Sequence, residues 1–163
     1  MAAAALGDVR CCADYVDRGL GLWRQTANFS IDIMLLEVIH VLMSVGQTEL
    51  ARKYIEQARN LYARTPERCA YAEFLRIDGL LKVEEGDRID GQALLKQAVD
   101  TAKSQSANLF RLRASCDLAR LMREDGDIEG ARQALTPSYN WFTEGFKMPD
   151  LLQAKRLLDS LAR

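Results

Sequence analysis

The sequence predicts an all-α fold, built as a right-handed superhelical stack of helix–turn–helix repeats with a capping helix at the C-terminal end. Gly46, Gly86 and Gly126 lie forty residues apart. Small residues recur five and twelve positions after these glycines, at Ala51, Gly91, Ala131, Ala58, Ala98 and Ser138. A fixed period of this length is typical of a repeat array, in which each repeat buries its apolar face against the next. Such arrays bind partners along an extended surface.

The composition excludes several other classes of protein. The 163 residues are 48% hydrophobic and carry a net charge of −1, so no broad field attracts nucleic acid or anionic membrane. Residues Met1–Ala5 lack the basic start of a signal peptide, and no stretch reaches the ~18 uncharged apolar residues of a membrane helix. The four cysteines include no CxxC pair, which favours reduced thiols. We therefore expect a cytoplasmic protein with no direct nucleic-acid or membrane partner.

The first predicted element is a partial repeat over residues 1–27. Gly7 precedes Gly46 by thirty-nine residues, and the residues after it align with those after Gly46. The first helix of this repeat is reduced to Met1–Leu6. Terminal repeats usually carry a polar cap, and no such cap is visible here. We expect either that the chain is the C-terminal piece of a longer array or that a second molecule covers the open end, as in a homodimer.

Three full repeats follow in the same predicted domain, over residues 28–66, 67–106 and 107–146. On both sides of each glycine, apolar residues recur at intervals of three and four, which indicates two helices joined by a turn. Glycine suits this turn because a helix C-terminus often needs a left-handed residue. Thr65-Pro66-Glu67 and the loop Ser104–Asn108 are the expected junctions between repeats. Gly79 and Ala119 are small residues at which paired helices approach closely, whereas Ile39 occupies that place in the first repeat.

The C-terminal end is predicted to finish the array. Pro137 should break or kink its helix near Thr136. A capping helix over residues 149–163 turns its apolar side to the array. That side carries Leu151, Ala154, Leu157, Leu158 and Leu161, and the opposite side carries Lys155, Arg156, Asp159 and Arg163. Four aromatic residues lie between, Tyr139, Trp141, Phe142 and Phe146. We expect them to form core under the capping helix; a surface cluster for a partner is the alternative.

These positions resemble the tetratricopeptide repeat, in which small residues occupy set places on both helices and a glycine marks the turn. The period here is longer than the usual thirty-four residues of that family. Its early aromatic position holds Leu35, Leu75 and Ser115 in this chain. The resemblance implies a helical array with a concave groove lined by the first helix of each repeat, and it implies no cofactor and no catalysis.

A narrower resemblance covers the end of the chain. Residues Leu135 to Phe146, Pro149 to Leu151 and Ala154 to Leu158 are similar to the C-terminal end of certain large bacterial signalling proteins. Those proteins carry a nucleotide cyclase or DNA-binding domain, a central ATPase module and a helical repeat tail. The resemblance covers the tail alone, so it implies a regulatory, non-catalytic domain.

The groove of such an array would be apolar at one end and basic at the other. Counting back from each turn glycine gives the residues that would face it, and seven are candidates for partner binding: Leu36, His40, Leu80, Arg76, Arg113, Arg120 and Arg123. The four guanidinium groups could hold an acidic protein segment by bidentate hydrogen bonds. An alternative is that the arginines pair with Glu73, Asp117 and Glu124 on a solvated face. A third interpretation is a sensor that binds a small anionic metabolite in the groove.

The sequence offers little for catalysis or for metal binding. His40 is the single histidine, so a histidine-rich metal site is excluded. Gly19-Leu20-Gly21 lacks the third glycine of a dinucleotide fingerprint, and there is no phosphate-binding GxxxxGK[ST] loop. Cys116 with His40 would be a nucleophile pair without a third group to orient it. We therefore predict no catalytic residue, no metal site and no cofactor.

Overall fold

The computed structural model describes residues 14–19, 21–22, 31–64 and 68–162. All regular secondary structure in these ranges is helical, which confirms the all-α prediction. Residues 14–19 are helical, and the helices that follow are α1 Ile31–Ser44, α2 Thr48–Arg64, α3 Tyr71–Glu84, α4 Arg88–Ser104, α5 Asn108–Glu124, α6 Ile128–Tyr139 and α7 Pro149–Leu161. The Gly7 turn, the Thr65-Pro66-Glu67 junction and the predicted open N-terminal end lie outside the described residues.

The three periodic glycines form one kind of helix-ending turn. Gly46, Gly86 and Gly126 have φ values of 73°, 90° and 85°. The residue after each glycine donates its amide hydrogen to a carbonyl five residues earlier. These bonds join Gln47 to Leu42, Asp87 to Lys82 and Asp127 to Met122, at 2.8, 2.9 and 2.9 Å. This pattern is the glycine-terminated helix end in which a left-handed residue turns the chain, so the predicted turns are confirmed.

The same turns also begin the next helix. The side chains of Asp87 and Asp127 accept hydrogen bonds from the amides of Asp90 and Gly130, at 3.2 and 2.9 Å. An aspartate at this position satisfies one of the free amides of the first helical turn and favours its positive end. Each turn therefore ends one helix and starts its partner within three residues, which leaves the two helices antiparallel.

The junction between α4 and α5 repeats this geometry without a glycine. Ser106 has a φ of 56°, and the amide of Ala107 donates to the carbonyl of Ala102 at 2.9 Å. The predicted loop at Ser104–Asn108 is thus three residues long, since α4 ends at Ser104 and α5 begins at Asn108. A left-handed residue with a Cβ is strained, so Ser106 is a site of local strain.

The described residues form two compact units, one that ends at Ala70 and one that begins at Tyr71. In the first unit, α1 packs on α2 around Leu35, Leu36, Ile39, Leu42, Tyr54 and Ile55, all of them buried. Helical residues 14–19 are linked to α2, because Asp17 accepts hydrogen bonds from the Lys53 amine at 2.9 Å and from the Tyr54 hydroxyl at 3.0 Å.

In the second unit each helix packs on the next along the chain, from α3 to α7. In addition α3 contacts α5, and α5 contacts α7. We call α3, α5 and α7 the first-helix row. Helix α7 buries Leu151, Ala154, Leu157 and Leu161 against α5 and α6. The predicted inward face of the capping helix is therefore confirmed for these residues.

Small residues set the distance between α3 and α4. A Cβ on Gly91 would lie 2.5 Å from a methyl group of Val83 and 2.8 Å from the carbonyl oxygen of Gly79. A Cβ on Gly79 would lie 3.0 Å from the carbonyl oxygen of Gly91. The two backbones thus approach each other directly, as the periodic small residues predict. In the next pair, Ala119 and Ala131 are both fully buried.

Of the two predicted effects of Pro137, a break or a kink near Thr136, the break is wrong. Helix α6 continues through Pro137 as far as Tyr139. Proline removes one helical hydrogen bond and crowds the preceding turn. The helix ends two residues later, so little of it depends on the missing bond. The Thr136 hydroxyl also donates to the carbonyl of Arg132 at 2.8 Å, within the turn that precedes the proline.

None of the helices in the described ranges is both long enough and apolar enough to cross a bilayer.

Candidate partner-binding surface

Three of the predicted groove arginines, Arg76, Arg113 and Arg120, meet in one cluster of ion pairs along the first-helix row. We call this cluster the charge network: Glu73 and Arg76 on α3, Arg113, Asp117 and Arg120 on α5, and Asp150 at the start of α7. Arg76 lies at its centre. The Arg76 guanidinium donates to Glu73 at 2.9 and 2.7 Å and to Asp117 at 2.5 Å. These bonds tie α3 to α5.

The network continues from α5 to the capping helix. Arg113 donates through Nε to Asp150 at 2.7 Å, and its Nη1 lies 3.7 Å from the carboxylate of Glu73. Arg120 donates to Asp117, three residues before it on α5. Each helix of the first-helix row therefore contributes to a single set of contacts, in which the carboxylates alternate with the guanidinium groups.

Charge is balanced within the network, since three arginines meet three carboxylates. Arg76 and Glu73 are each only 5% exposed. Burial alone would lower the pKa of Arg76, but its hydrogen bonds and charge interactions with Glu73 and Asp117 raise that pKa above its ordinary value. The pKa of Arg113 is raised in the same way, against the effect of burial, by Asp150 and Glu73. Both side chains are thus held as cations by neighbouring carboxylates.

The alternative that the arginines pair with carboxylates describes these three well, but its solvated face is wrong for Arg76 and Glu73, which are buried. Glu73 and Asp117 are the partners that it named, whereas Glu124 contacts Arg88 at 3.4 Å and not a groove arginine. Asp150 was not foreseen as a partner. A signal for it exists in the sequence, because Arg113 and Asp150 are 37 residues apart, as are Arg88 and Asp125, which also form an ion pair. Opposite charges separated by about one repeat therefore mark contacts between successive repeats.

Arg123 differs from the other three arginines. Its side chain is exposed, and its Nη1 donates to the Ser160 hydroxyl on α7 at 3.1 Å. Among the described residues no carboxylate forms an ion pair with Arg123. Its positive charge is therefore uncompensated, although the serine fixes the direction of the side chain.

A cavity of about 140 Å³ opens beside the network. Its apolar lining comes from α3, α4 and α5, and its charged lining comes from α5. The lining residues are Leu80, Val83, Leu95, Leu121, Asp117, Arg120 and Glu124. The structure thus brings together two of the predicted binding residues, Leu80 and Arg120. The cavity itself was not predicted, because its volume depends on how three helices pack.

The other two candidate residues lie on α1, in the first unit. His40 is exposed, while Leu36 is only 2% exposed and belongs to the core between α1 and α2. Leu36 therefore presents almost no surface to a partner. A role of His40 in binding stays a prediction.

Cys116 is unsuited to act as a nucleophile. It lies in the core of α5, α6 and α7, and burial raises the pKa of its thiol to about 12. The attacking species in thiol chemistry is the thiolate, which a buried cysteine with a raised pKa does not supply near neutral pH. No cluster of potential metal ligands occurs within the part of the chain that the structure describes.

The aromatic segment after α6 divides into two pairs. Tyr139 and Phe142 pack against the core under α7, as predicted. Trp141 and Phe146, in contrast, are 55% and 45% exposed, so the prediction that they are core is wrong. Each exposed ring packs against a partly buried one. The ring centroids of Phe146 and Tyr139 are 6.0 Å apart, and those of Trp141 and Phe142 are 5.1 Å apart. Two of the four rings are therefore core and two are exposed.

No protein-family model matches this chain, and no curated protein matches it at a significant level. The finding that stands is an all-helical protein whose helices pack in sequential pairs. The tetratricopeptide type of repeat, the right-handed superhelix and the likeness to bacterial signalling tails remain predictions from the sequence.

Proposed function

We propose that this chain is a non-catalytic protein–protein interaction module, and that a peptide segment of the partner binds along the first-helix row. The observation that carries the proposal is the placing of an apolar cavity and an uncompensated arginine beside a rigid, ion-paired frame. Binding surfaces of this kind are largely preformed and combine an apolar pocket with a few directed polar groups.

The charge network supports this proposal through its rigidity. Six charged side chains of α3, α5 and α7 hold one another in place, so the surface needs little ordering when a partner binds. A preorganised surface loses less conformational entropy on association, and its affinity is correspondingly higher. Catalysis receives no comparable support, since Cys116 is buried as a thiol and the network carboxylates are engaged with arginines.

The network also favours a protein partner over a small anionic metabolite. A metabolite with several negative charges would need several free cations close together. Arg76, Arg113 and Arg120 are already matched by Glu73, Asp117 and Asp150, which leaves Arg123 alone. A peptide adds apolar contacts to a single charge contact, and it therefore suits the surface better.

The wider setting of the module is part of the proposal. The resemblance of Leu135 to Phe146 to the tails of bacterial signalling proteins suggests that binding along the row regulates an attached domain. Self-association through the predicted N-terminal end is a separate expectation. Light scattering on the purified chain tests it, because a dimer would support the expectation and a monomer would contradict it.

The experiment that tests the function is a random-peptide display screen against the immobilised chain. We expect enrichment of peptides that bind saturably and that compete with one another. Leu80→Gln places a polar group in the cavity and should abolish this binding, since an apolar anchor would lose its contacts. Leu152→Gln is the matched control, because Leu152 is a partly exposed leucine on α7 that does not line the cavity.

Two results would contradict the proposal. One is a screen that enriches no saturable binder. The other is binding that Leu80→Gln and Leu152→Gln weaken equally, because such a peptide would not be anchored in the cavity. Circular dichroism on both variants verifies that each keeps its helices.

A further inference from the structure

The cavity has the size of a single apolar side chain. Its volume of about 140 Å³ is close to that of the ~150 Å³ cavities lined by leucine, isoleucine and phenylalanine that bind benzene. Leu80, Val83 and Leu95 form its apolar wall. This volume matches one leucine-, isoleucine- or phenylalanine-sized side chain.

The three charged residues that line the cavity are all engaged in ion pairs. Asp117 and Arg120 bind each other, and Glu124 contacts Arg88. Arg123 follows Arg120 by three residues on α5, which corresponds to about 4.5 Å along the helix axis. The backbone of Arg123 thus lies about one helical turn from that of Arg120, and its guanidinium is directed at α7.

Comparison with Arg113 shows why Arg123 is left without a carboxylate. Both arginines reach from α5 to a residue of α7 that is 37 positions later in the chain. For Arg113 that residue is Asp150, and for Arg123 it is Ser160. The serine hydroxyl directs the Arg123 guanidinium but does not neutralise its charge. A carboxylate from another molecule would therefore give Arg123 the ion pair that Asp150 gives Arg113.

From this we infer that the partner peptide carries one apolar anchor residue, which enters the cavity, and one acidic side chain nearby, which binds Arg123. The inference rests on the proposed function and specifies the partner of that same site. It differs from the sequence-based expectation of an acidic segment held by four arginines, because only one guanidinium has a place for a carboxylate.

Capped glycine–serine peptides with a fluorescein label provide the probes. Each carries one leucine and one glutamate, and the set varies the spacing between them from one to four residues. Binding is measured by fluorescence anisotropy. We expect at least one spacing to bind saturably, and alanine in place of the peptide leucine to weaken that binding roughly tenfold or more. Glutamine in place of the peptide glutamate should weaken it roughly fivefold.

Variants of the protein assign these effects to residues. Arg123→Gln should weaken binding of the glutamate peptide roughly fivefold and leave the glutamine peptide unaffected, as a double-mutant cycle requires for a direct pair. Ser160→Asp should have the same effect, because it supplies the carboxylate from within the chain, whereas Ser160→Asn should not. Arg132→Gln is the control, since Arg132 is an exposed arginine of α6. Added salt should reduce the difference between the two peptides.

The inference is overturned if no peptide of the set binds, or if Arg123→Gln and Arg132→Gln have equal effects. It is also overturned if Arg123→Gln weakens the glutamine peptide as much as the glutamate peptide. If the display screen yields binders that depend on Leu80 but lack the apolar–acidic pair, the proposed function stands and this inference fails. If the screen yields no binder, both fail.

Discussion

The central arginine of the charge network offers the sharpest test of how the first-helix row is stabilised. In Arg76→Leu, Asp117 keeps Arg120 as its partner. Glu73 keeps only a contact with Arg113 at 3.7 Å, although the Glu73 side chain is just 7% exposed. Removing one member of a buried ion pair typically costs about 3–5 kcal/mol, because the remaining charge is left in a poorly solvated site. We expect a loss of unfolding free energy of that size.

Arg132→Leu is a closely matched control. Arg132 also pairs with a glutamate three residues before it, Glu129, but these side chains are 55% and 58% exposed. Solvent screens such a pair, so the variant should lose far less stability than Arg76→Leu. Urea unfolding followed by far-ultraviolet circular dichroism gives both free energies, and urea has the advantage of not screening charge.

A double variant separates the charge effect from the loss of packing. Glu73→Leu with Arg76→Leu leaves Arg113 with Asp150 and Arg120 with Asp117, so every remaining charge has a partner. We expect the double variant to regain at least about 2 kcal/mol relative to Arg76→Leu alone. The reasoning is refuted if the loss of unfolding free energy in the double variant equals the sum of the losses in Glu73→Leu and Arg76→Leu. It is also refuted if Arg76→Leu and Arg132→Leu are equally stable.

Three further predictions concern stability in the same denaturation assay. Gly91→Ala should destabilise the fold by about 1 kcal/mol or more, despite the better helix propensity of alanine, because the added Cβ would overlap Val83. Gly19→Ala should stabilise it, because no described atom lies within 4 Å of the added Cβ. A change of the same sign in both variants would contradict this. Ser106→Gly should stabilise the fold by about 0.5 kcal/mol, because glycine adopts the left-handed conformation without strain. Gly86→Ala should destabilise it for the converse reason. A change of the same sign in both variants would count against strain at Ser106. Between pH 9.0 and about 12, the unfolding free energy of the wild type should fall by about 1.4 kcal/mol per pH unit more than that of Cys116→Ala. The reason is that the Cys116 thiol ionises in this range when the chain is unfolded and stays protonated when it is folded. Equal slopes of unfolding free energy against pH in the two proteins would contradict the raised pKa.

The parts of the fold that were predictable from the sequence depend on local geometry. A glycine with a positive φ ends α1, α3 and α5, and the aspartate after Gly86 and Gly126 begins the helix that follows. Both sequence signals lie within a few residues of the turn, so they can be recognised without knowledge of the tertiary structure. The close approach of α3 and α4 could be predicted for a similar reason. Gly79 and Gly91 occupy positions that hold small residues at fixed distances from the turn glycines.

The features that sequence reasoning missed depend on contacts between elements. Whether a ring of the aromatic segment is buried is decided by the space under α7, and that space accepts Tyr139 and Phe142 but not Trp141 and Phe146. The cavity beside the network arises from the packing of three helices. No local pattern encodes either result.

The four groove arginines show how such contacts decide function. By their position in the repeat all four were equivalent candidates for binding an acidic partner. Their neighbours separate them, because Arg76, Arg113 and Arg120 meet carboxylates while Arg123 meets the hydroxyl of Ser160. A guanidinium that is matched internally contributes rigidity, and one that is not matched remains available to a ligand. The same offset of 37 residues thus gives an ion pair at Arg113 and a contact with a neutral hydroxyl at Arg123, and it is the second arginine to which we assign the proposed ligand contact.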